Sequence, residues 1–338
     1  MTTVLESLNT ALHHLLDSDT RVLILGEDVL DPYGGAFKVT RGLSTKFPDR
    51  VLTTPISEAG MVGIAAGMAM RDLRPVVEIM FGDFVTLIAD QLVNHITKFR
   101  WMYNNQVRVP LVIRTPMGGR RGYGPTHSQT LEKIFLGIPG LHILAPCDLG
   151  DPGQLLADAI LVDDEPVLFI ENKPLYLAPL QDTTTLTDFS LASSPSPAIL
   201  DYAPVYTLII RDAPPPTITL VAYGYMAILA REAAWKLAFE HEIFSELVIF
   251  TQLAPLAPEP IFASLHRTGH LLVIEEGTLA MGWGAEVLAR AAEAIGSNLQ
   301  AARRIAACQI PIPASEPLEA AVLPEPDDII QAVKIMVI

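Results

Sequence analysis

Cysteine is nearly absent. Cys147 and Cys308 are the two thiols in 338 residues, too few and too far apart for a disulfide framework or a cysteine zinc site. Basic charge is scarce as well. Lys and Arg number 23 against 38 Asp and Glu, a formal net charge of −15. The chain therefore lacks the basic footprint that nucleic acid or an anionic membrane surface requires. Apolar runs are short: the longest weakly polar stretches, 59–70 and 217–230, fall below the ~20 residues that span a bilayer. Residues 1–19 have neither the basic n-region nor the apolar h-region of a secretory signal. Together with two unpaired thiols, this predicts a cytoplasmic protein. Stock catalytic motifs are missing too. There is no G-x-x-x-x-G-K-[ST] phosphate loop, no H-E-x-x-H and no G-x-S-x-G.

What is present is core-forming material: 50% of residues are apolar and 18% charged. A chain of this length suggests two domains at roughly 150 residues each. Leu5, Leu8, Leu12, Leu15 and Leu16 share one helical face at the N-terminus. Apolar runs with strand character follow at Val22–Leu25, Val76–Met80, Leu111–Arg114, His142–Ala145 and Val167–Glu171, separated by helical stretches at 59–70, 84–103 and 152–162. This alternation predicts a parallel sheet covered on both faces. Residues 178–216, rich in Ser, Thr and Pro, interrupt it. The alternation resumes with strands at Ile218–Tyr223, Leu247–Phe250 and Leu271–Glu275 and helices at Ala227–His241 and Gly284–Ala294. The expected organisation is two parallel-sheet α/β domains, 1–180 and 217–338, joined by a connection at 181–216 with a short strand at Tyr206–Arg211.

Three segments could carry chemistry. In TTPISEAGMVGIAAGMAM (53–70) an extended lead-in runs into Ser57-Glu58 and a helix carrying Gly60, Gly63 and Gly67, which lets another backbone approach closely. Glu58 is either a first-turn glutamate favoured by the helix dipole and by capping around Ser57, or a buried acid that holds a cofactor ring. In MGGRRGYGPTHSQT (117–130), four glycines and two arginines follow an apolar strand. His127 sits in that loop, where open α/β sheets gather ligands. It reads as a proton shuttle or as a hydrogen-bonded loop histidine. Met80, Phe81 and Phe84 are either core side chains or a platform under a planar heterocycle. His13, His14, His95, His142, His241, His266 and His270 have no comparable setting. Gly282-Trp283-Gly284 lacks the third glycine of a dinucleotide loop and reads as a tight turn.

Taken in order, LGEDV (25–29), YGGAFKVTRGL (33–43), PISEAG (55–60), LRPVVEIMFGDF (73–84), DQLVN (90–94), PLVIRTPMGG (110–119), THSQ (126–129), IPGL (138–141), LVAYG (220–224) and GWGAEVLA (282–289) resemble one family. It comprises the β subunits of thiamine-diphosphate-dependent 2-oxoacid dehydrogenase E1 components, within the transketolase superfamily. The resemblance implies a pyrimidine-binding α/β domain followed by a transketolase C-terminal-like domain. It implies that Glu58 hydrogen-bonds N1′ of thiamine's aminopyrimidine, with a raised pKa, and that Ile56, Met80 and Phe84 line the pyrimidine pocket. It casts His127 as the histidine that assists substrate binding and acyl transfer to a lipoyl group.

No G-D-G occurs; Gly82-Asp83 is followed by Phe84. By the family pattern, the diphosphate and its Mg²⁺ then belong to an α-type partner in an α2β2 assembly serving a lipoyl-bearing E2, with a small 2-oxoacid as substrate. Acetoin cleavage, a transketolase-like transfer and a non-catalytic scaffold are the alternatives. The family can also carry a potassium ion on backbone carbonyls, here at Leu111, Ala159, Ile160, Asp163 and Glu165. This chain has one residue more than the family pattern between Ile160 and Pro166.

Overall fold

The computed structural model describes residues 1–195 and 200–337, arranged as two compact units. The first comprises Met1–Gly118, Thr126–Leu144 and Asp151–Leu180. Its strands are β1 (Val22–Gly26), β2 (Val51–Thr53), β3 (Arg74–Glu78), β4 (Val112–Met117), β5 (His142–Leu144) and β6 (Val167–Asn172). They lie in the order β5-β6-β4-β3-β1-β2, and every neighbouring pair is parallel. β4 and β6 are buried at every position, as expected of strands covered on both faces.

Helix α1 (Val4–Ser18) starts with a capping box, Thr3 and Glu6 each accepting from the other's backbone N–H. It buries Leu8, Leu12, Leu15 and Leu16. The unit continues with α2 (Leu43–Lys46), α3 (Glu58–Ala69), α4 (Thr97–Met102) and α5 (Pro152–Leu161). Asp151 caps α5 by accepting from the amides of Gly153 and Gln154, and Ser7 of α1 donates to the same carboxylate at 2.7 Å, fastening α1 to α5.

The helix expected over 84–103 is broken into three. A 3-10 turn at Gly82–Ile88 leads into a π turn at Gln91–Ile96, then α4. The Thr97 hydroxyl donates to the Leu92 carbonyl five residues back at 2.7 Å, which suits the wider π register. Gly82 begins the first turn because a Cβ there would lie 2.2 Å from Met117 Cγ.

The second unit comprises Gly119–Pro125, Ala145–Gly150 and the described part of 181–338. Its strands are β7 (Phe189–Pro195), β8 (Pro204–Ile210), β9 (Ile218–Tyr223), β10 (Ser245–Phe250), β11 (Gln252–Ala254), β12 (His270–Thr278) and β13 (Ala301–Ala307). Six of them form a sheet in the order β13-β12-β9-β10-β8-β7. Its first four strands are parallel, and β8 and β7 antiparallel. Its helices are α6 (Met226–His241), α7 (Glu259–Thr268), α8 (Trp283–Ile295), α9 (Glu316–Ala320) and α10 (Pro326–Val337).

The stretch expected as a connection at 181–216 thus carries two strands, β7 and β8, which extend the second unit's edge. Only 196–199 of that stretch lie outside the described residues. Gly282-Trp283-Gly284, expected as a tight turn, is instead the start of α8: Gly282 is extended and the helix begins at Trp283. A Cβ on Gly282 would lie 2.4 Å from the buried Glu275 carboxylate, which also accepts from the Gly284 amide at 3.2 Å. Among the described residues no helix is long and apolar enough to cross a membrane.

Candidate active site

In a parallel sheet all strand C-termini fall on one edge, where α/β proteins collect ligands. The sequence candidates of the first unit follow these ends. Glu27 comes directly after β1, Ile56 and Glu58 after β2, and Met80 and Phe84 after β3. The loop carrying His127 follows β4, and Lys173 follows β6.

Glu58 is the first residue of α3 and is 7% exposed. Among the described residues its carboxyl group has no hydrogen-bond partner. Ser57 precedes it but its side chain does not cap the helix, so the capping reading of this segment does not hold. The acid beside Glu58 is Glu27, whose Oε1 is buried without a hydrogen-bond partner among the described residues. Burial pushes the Glu27 carboxyl above its ordinary value, the negative charge of Glu58 adds to the rise, and the Ser57 amide opposes it. Ile56 is 86% exposed, an apolar side chain uncovered by this chain.

Helix α3 packs on β3 and on the 82–88 turn, the segment carrying the aromatic candidates. Phe81 and Phe84 are half-buried and meet edge to face, centroids 5.9 Å apart. His127 stands edge-on to both, 4.8 Å from Phe81 and 5.4 Å from Phe84. Its Nδ1 lies 3.0 Å from the Thr126 hydroxyl. The aromatic pair is therefore a partly open wall rather than core, and Met80 is likewise half-buried. Asp83 faces the same loop: its Oδ1 accepts from the Gln129 side chain at 2.8 Å and from the Gln129 amide at 3.3 Å.

Lys173 was not anticipated. It is fully buried and donates to the carbonyls of Gly118 at 2.7 Å and His127 at 2.5 Å, its ammonium 5.3 Å from the Phe81 ring centroid. Those carbonyls flank residues 119–126, so one cation fastens both ends of that loop. The Gly118 amide adds a bond to the Gln129 carbonyl at 3.2 Å.

Beneath this wall lies a buried ionic cluster. Arg114 of β4 donates to Glu171 of β6 at 2.9 and 2.5 Å and to Glu78 of β3; all three are at most 4% exposed. The Tyr176 hydroxyl donates to Glu171 at 2.5 Å. Burial pushes the Glu78 carboxyl up despite Arg114. Burial, then the Glu171 charge, pushes the Tyr176 phenol well above its ordinary value. Burial opposes the Arg114 charge, but the two carboxylates more than offset it and raise its pKa further. Gly35, at φ +79°, is needed here because a Cβ would lie 2.6 Å from Glu78 Oε1. Phe37 stacks on Tyr176 at 5.4 Å and meets Phe81 edge-on at 5.8 Å. The cluster thereby braces the ring that His127 rests on.

The five carbonyl positions expected for potassium lie away from this edge, and three of them are engaged. Leu111 O accepts from the Val167 amide at 2.9 Å, and the carbonyls of Ile160 and Asp163 both accept from Arg74.

The transketolase pyrimidine-binding domain family matches residues 1–178, and the transketolase C-terminal domain family matches 208–329. The pyruvate dehydrogenase E1 component subunit β-1, mitochondrial, of Arabidopsis thaliana is 36% identical over 98% of this chain and 88% of its own length. The pyruvate dehydrogenase E1 component subunit β of Rickettsia bellii is 35% identical over 98% and 97%, and that of Leifsonia xyli 37% identical over 98% and 93%. Among solved structures, an inactive β4 tetramer of a split-gene transketolase shares the fold with a TM-score of 0.74 at 20% identity, covering 98% of this chain and 97% of that one. With both domain families matched in order and these relatives aligned almost end to end, the chain belongs to the β subunits of 2-oxoacid dehydrogenase E1 components, a family built on transketolase domains.

Proposed function

We propose that this chain is the pyrimidine-binding half of a thiamine-diphosphate-dependent E1 enzyme that decarboxylates a 2-oxoacid and passes the acyl group to a lipoyl-bearing E2. The observation that carries this reading is Glu58, a buried residue at the head of α3 whose carboxyl group has no hydrogen-bond partner among the described residues, beside a second acid whose pKa is raised. Such a group is satisfied by a ring nitrogen that shares a proton with it. When bound, thiamine diphosphate supplies the electron sink for decarboxylation. Glu58 would hold the proton at the pyrimidine nitrogen, and Met80 and Phe84 would line the ring's pocket. His127, its Nδ1 beside Thr126, presents Nε2 to the substrate and to the incoming lipoyl group.

The diphosphate and Mg²⁺ belong to an α-type partner in an α2β2 assembly. Asp83, which in a G-D-G sequence would face the metal, here clamps Gln129. Exposed Ile56 and the exposed face of α3 support a protein partner. Gly60, Gly63, Ile64 and Gly67 are open there, and a Cβ on Gly63 or Gly67 would meet nothing within 4 Å. Bacterial relatives favour a cytoplasmic setting.

The reading is tested by purifying the chain with an α-type subunit that carries G-D-G, then assaying 2-oxoacid-dependent reduction of an artificial acceptor and acyl transfer to a lipoyl domain. His127→Ala should slow acyl transfer by about 10²-fold and leave cofactor occupancy unchanged. A pair that takes up no thiamine diphosphate would overturn the reading.

A further inference from the structure

A single buried carboxylate joins the aromatic wall to the loop that carries the histidine. Asp83 lies in the 3-10 turn Gly82–Ile88, between Phe81 and Phe84, and is buried. Its Oδ1 accepts twice from Gln129, from the side-chain amide at 2.8 Å and from the backbone amide at 3.3 Å. Gln129 stands two residues after His127. The turn is itself well fastened. The Phe84 amide donates to the Phe81 carbonyl at 2.9 Å, and the Thr86 hydroxyl donates to the Asp83 carbonyl at 3.0 Å. Gly82 is closed against Met117. The two rings and the carboxylate therefore share one support.

Other bonds hold the stretch 127–130, but they point elsewhere. The His127 carbonyl accepts from Lys173 at 2.5 Å, and the Gln129 carbonyl accepts from the Gly118 amide at 3.2 Å. Neither is a hydrogen bond to the 82–88 turn. The hydroxyls of Ser128 and Thr130, on either side of Gln129, are buried without hydrogen-bond partners among the described residues, so they add no second tie. The Asp83–Gln129 clamp is thus a direct link between the imidazole's loop and the turn beneath its rings. A carboxylate oxygen that takes two N–H donors away from water is a strong hold. It suits the fixed edge-on placement of His127 on Phe81 and Phe84, at 4.8 and 5.4 Å.

We propose that Asp83 is a positioning residue for acyl transfer, setting the place of the His127 imidazole on the aromatic wall through Gln129. The proposal rests on the catalytic reading of His127, and its test separates the two. The full chain, paired with an α-type subunit, is compared as wild type, Asp83→Leu, Asp83→Asn, His127→Ala and the double variant Asp83→Leu/His127→Ala. Acyl transfer to a lipoyl domain and thiamine diphosphate occupancy are measured for each. Asp83→Leu should slow transfer by about 10-fold or more, the order that a small misplacement of a reacting group costs, with occupancy unchanged. Asp83→Asn keeps an acceptor oxygen and should recover most of the rate. In the His127→Ala background, Asp83→Leu should add no further loss, because both changes then act through one imidazole. Losses that multiply in the double variant would overturn the proposal. So would wild-type transfer by Asp83→Leu beside slow transfer by His127→Ala. Wild-type transfer by His127→Ala would instead overturn the catalytic reading itself. Placement is also read without turnover, from the imidazole resonances of His127 in histidine-labelled full chain, assigned by their loss in His127→Ala. They should move in Asp83→Leu and return toward wild type in Asp83→Asn; unmoved resonances would overturn the proposal. If Asp83→Leu does not fold, Gln129→Met, which removes the side-chain arm of the clamp alone, replaces it in each measurement, with a partial loss of transfer expected.

Discussion

Replacing Arg114 with Met should cost far more than a surface charge would. The side chain is 1% exposed and its guanidinium is shared between Glu78 and Glu171, both buried. The substitution keeps apolar volume but leaves two carboxyl groups buried without their cation. Removing one partner of a buried pair costs about 3–5 kcal/mol, which corresponds to a fall of roughly 6–20 °C in Tm for a unit of this size.

The penalty should also depend on pH. Glu78 already lies above its ordinary value through burial. Its folded-state preference for the proton therefore contributes stability below the unfolded pKa of about 4.3, which is lost as pH rises through the folded value. Without Arg114 that rise is larger, because nothing offsets burial or the charge of Glu171. The difference between wild type and variant should then be smallest near pH 5 and grow toward pH 8. Carboxyls held low elsewhere, such as Asp31, whose Thr45 hydroxyl bond and Gly42 amide bond favour the charged form, act equally in both proteins and cancel. Thermal and urea unfolding followed by far-UV circular dichroism at pH 5, 6.5 and 8 measures this directly. A penalty below about 1 kcal/mol, or one that shrinks as pH rises, would refute the argument that the cluster is a buried charge balance.

Lys173→Met keeps the volume but removes the cation that fastens the carbonyls of Gly118 and His127. Trypsin should then cut at exposed Arg121 several-fold faster than in wild type, with the overall Tm falling by less than in Arg114→Met. Gly82→Ala drives a methyl group to 2.2 Å from Met117 Cγ, a clash of the kind that costs about 1–3 kcal/mol. Urea unfolding should show that loss partly recovered in the double variant with Met117→Ala, whereas additive losses would count against the contact.

The fold was legible where strands are buried on both faces, because β1, β6 and β9 each contain a near-continuous apolar run bounded by helical periodicity. The elements that escaped lie at edges. β7 alternates small polar residues with Phe189 and Leu191, and β13 (AARRIAA) is half-exposed, so neither produces a run. The segment 84–103 looked like one helix because its composition suits a helix; the close approach of Gly82 to Met117 and the π register at Thr97 are tertiary facts. At the site, Glu58, His127, Met80 and Phe84 stood out by motif and loop context. Glu27 and Lys173 did not, although each directly follows a strand on the ligand-collecting edge, a positional signal that could have found them. The ionic cluster was hidden because Glu78, Arg114 and Glu171 are far apart in sequence and meet only through the register of β3, β4 and β6.

The central claim is that Glu58 shares a proton with thiamine's pyrimidine ring while another polypeptide grips the phosphates. It is tested most directly by calorimetric titration of thiamine diphosphate and Mg²⁺, in buffers of different ionisation enthalpy. The titrations use the chain alone, the chain with an α-type subunit, and that pair carrying Glu58→Gln. The account predicts binding by the pair and not by the chain alone, with a proton exchange on binding that the variant loses. Tight Mg²⁺-dependent binding by the isolated chain, or unchanged proton exchange in the variant, would contradict it.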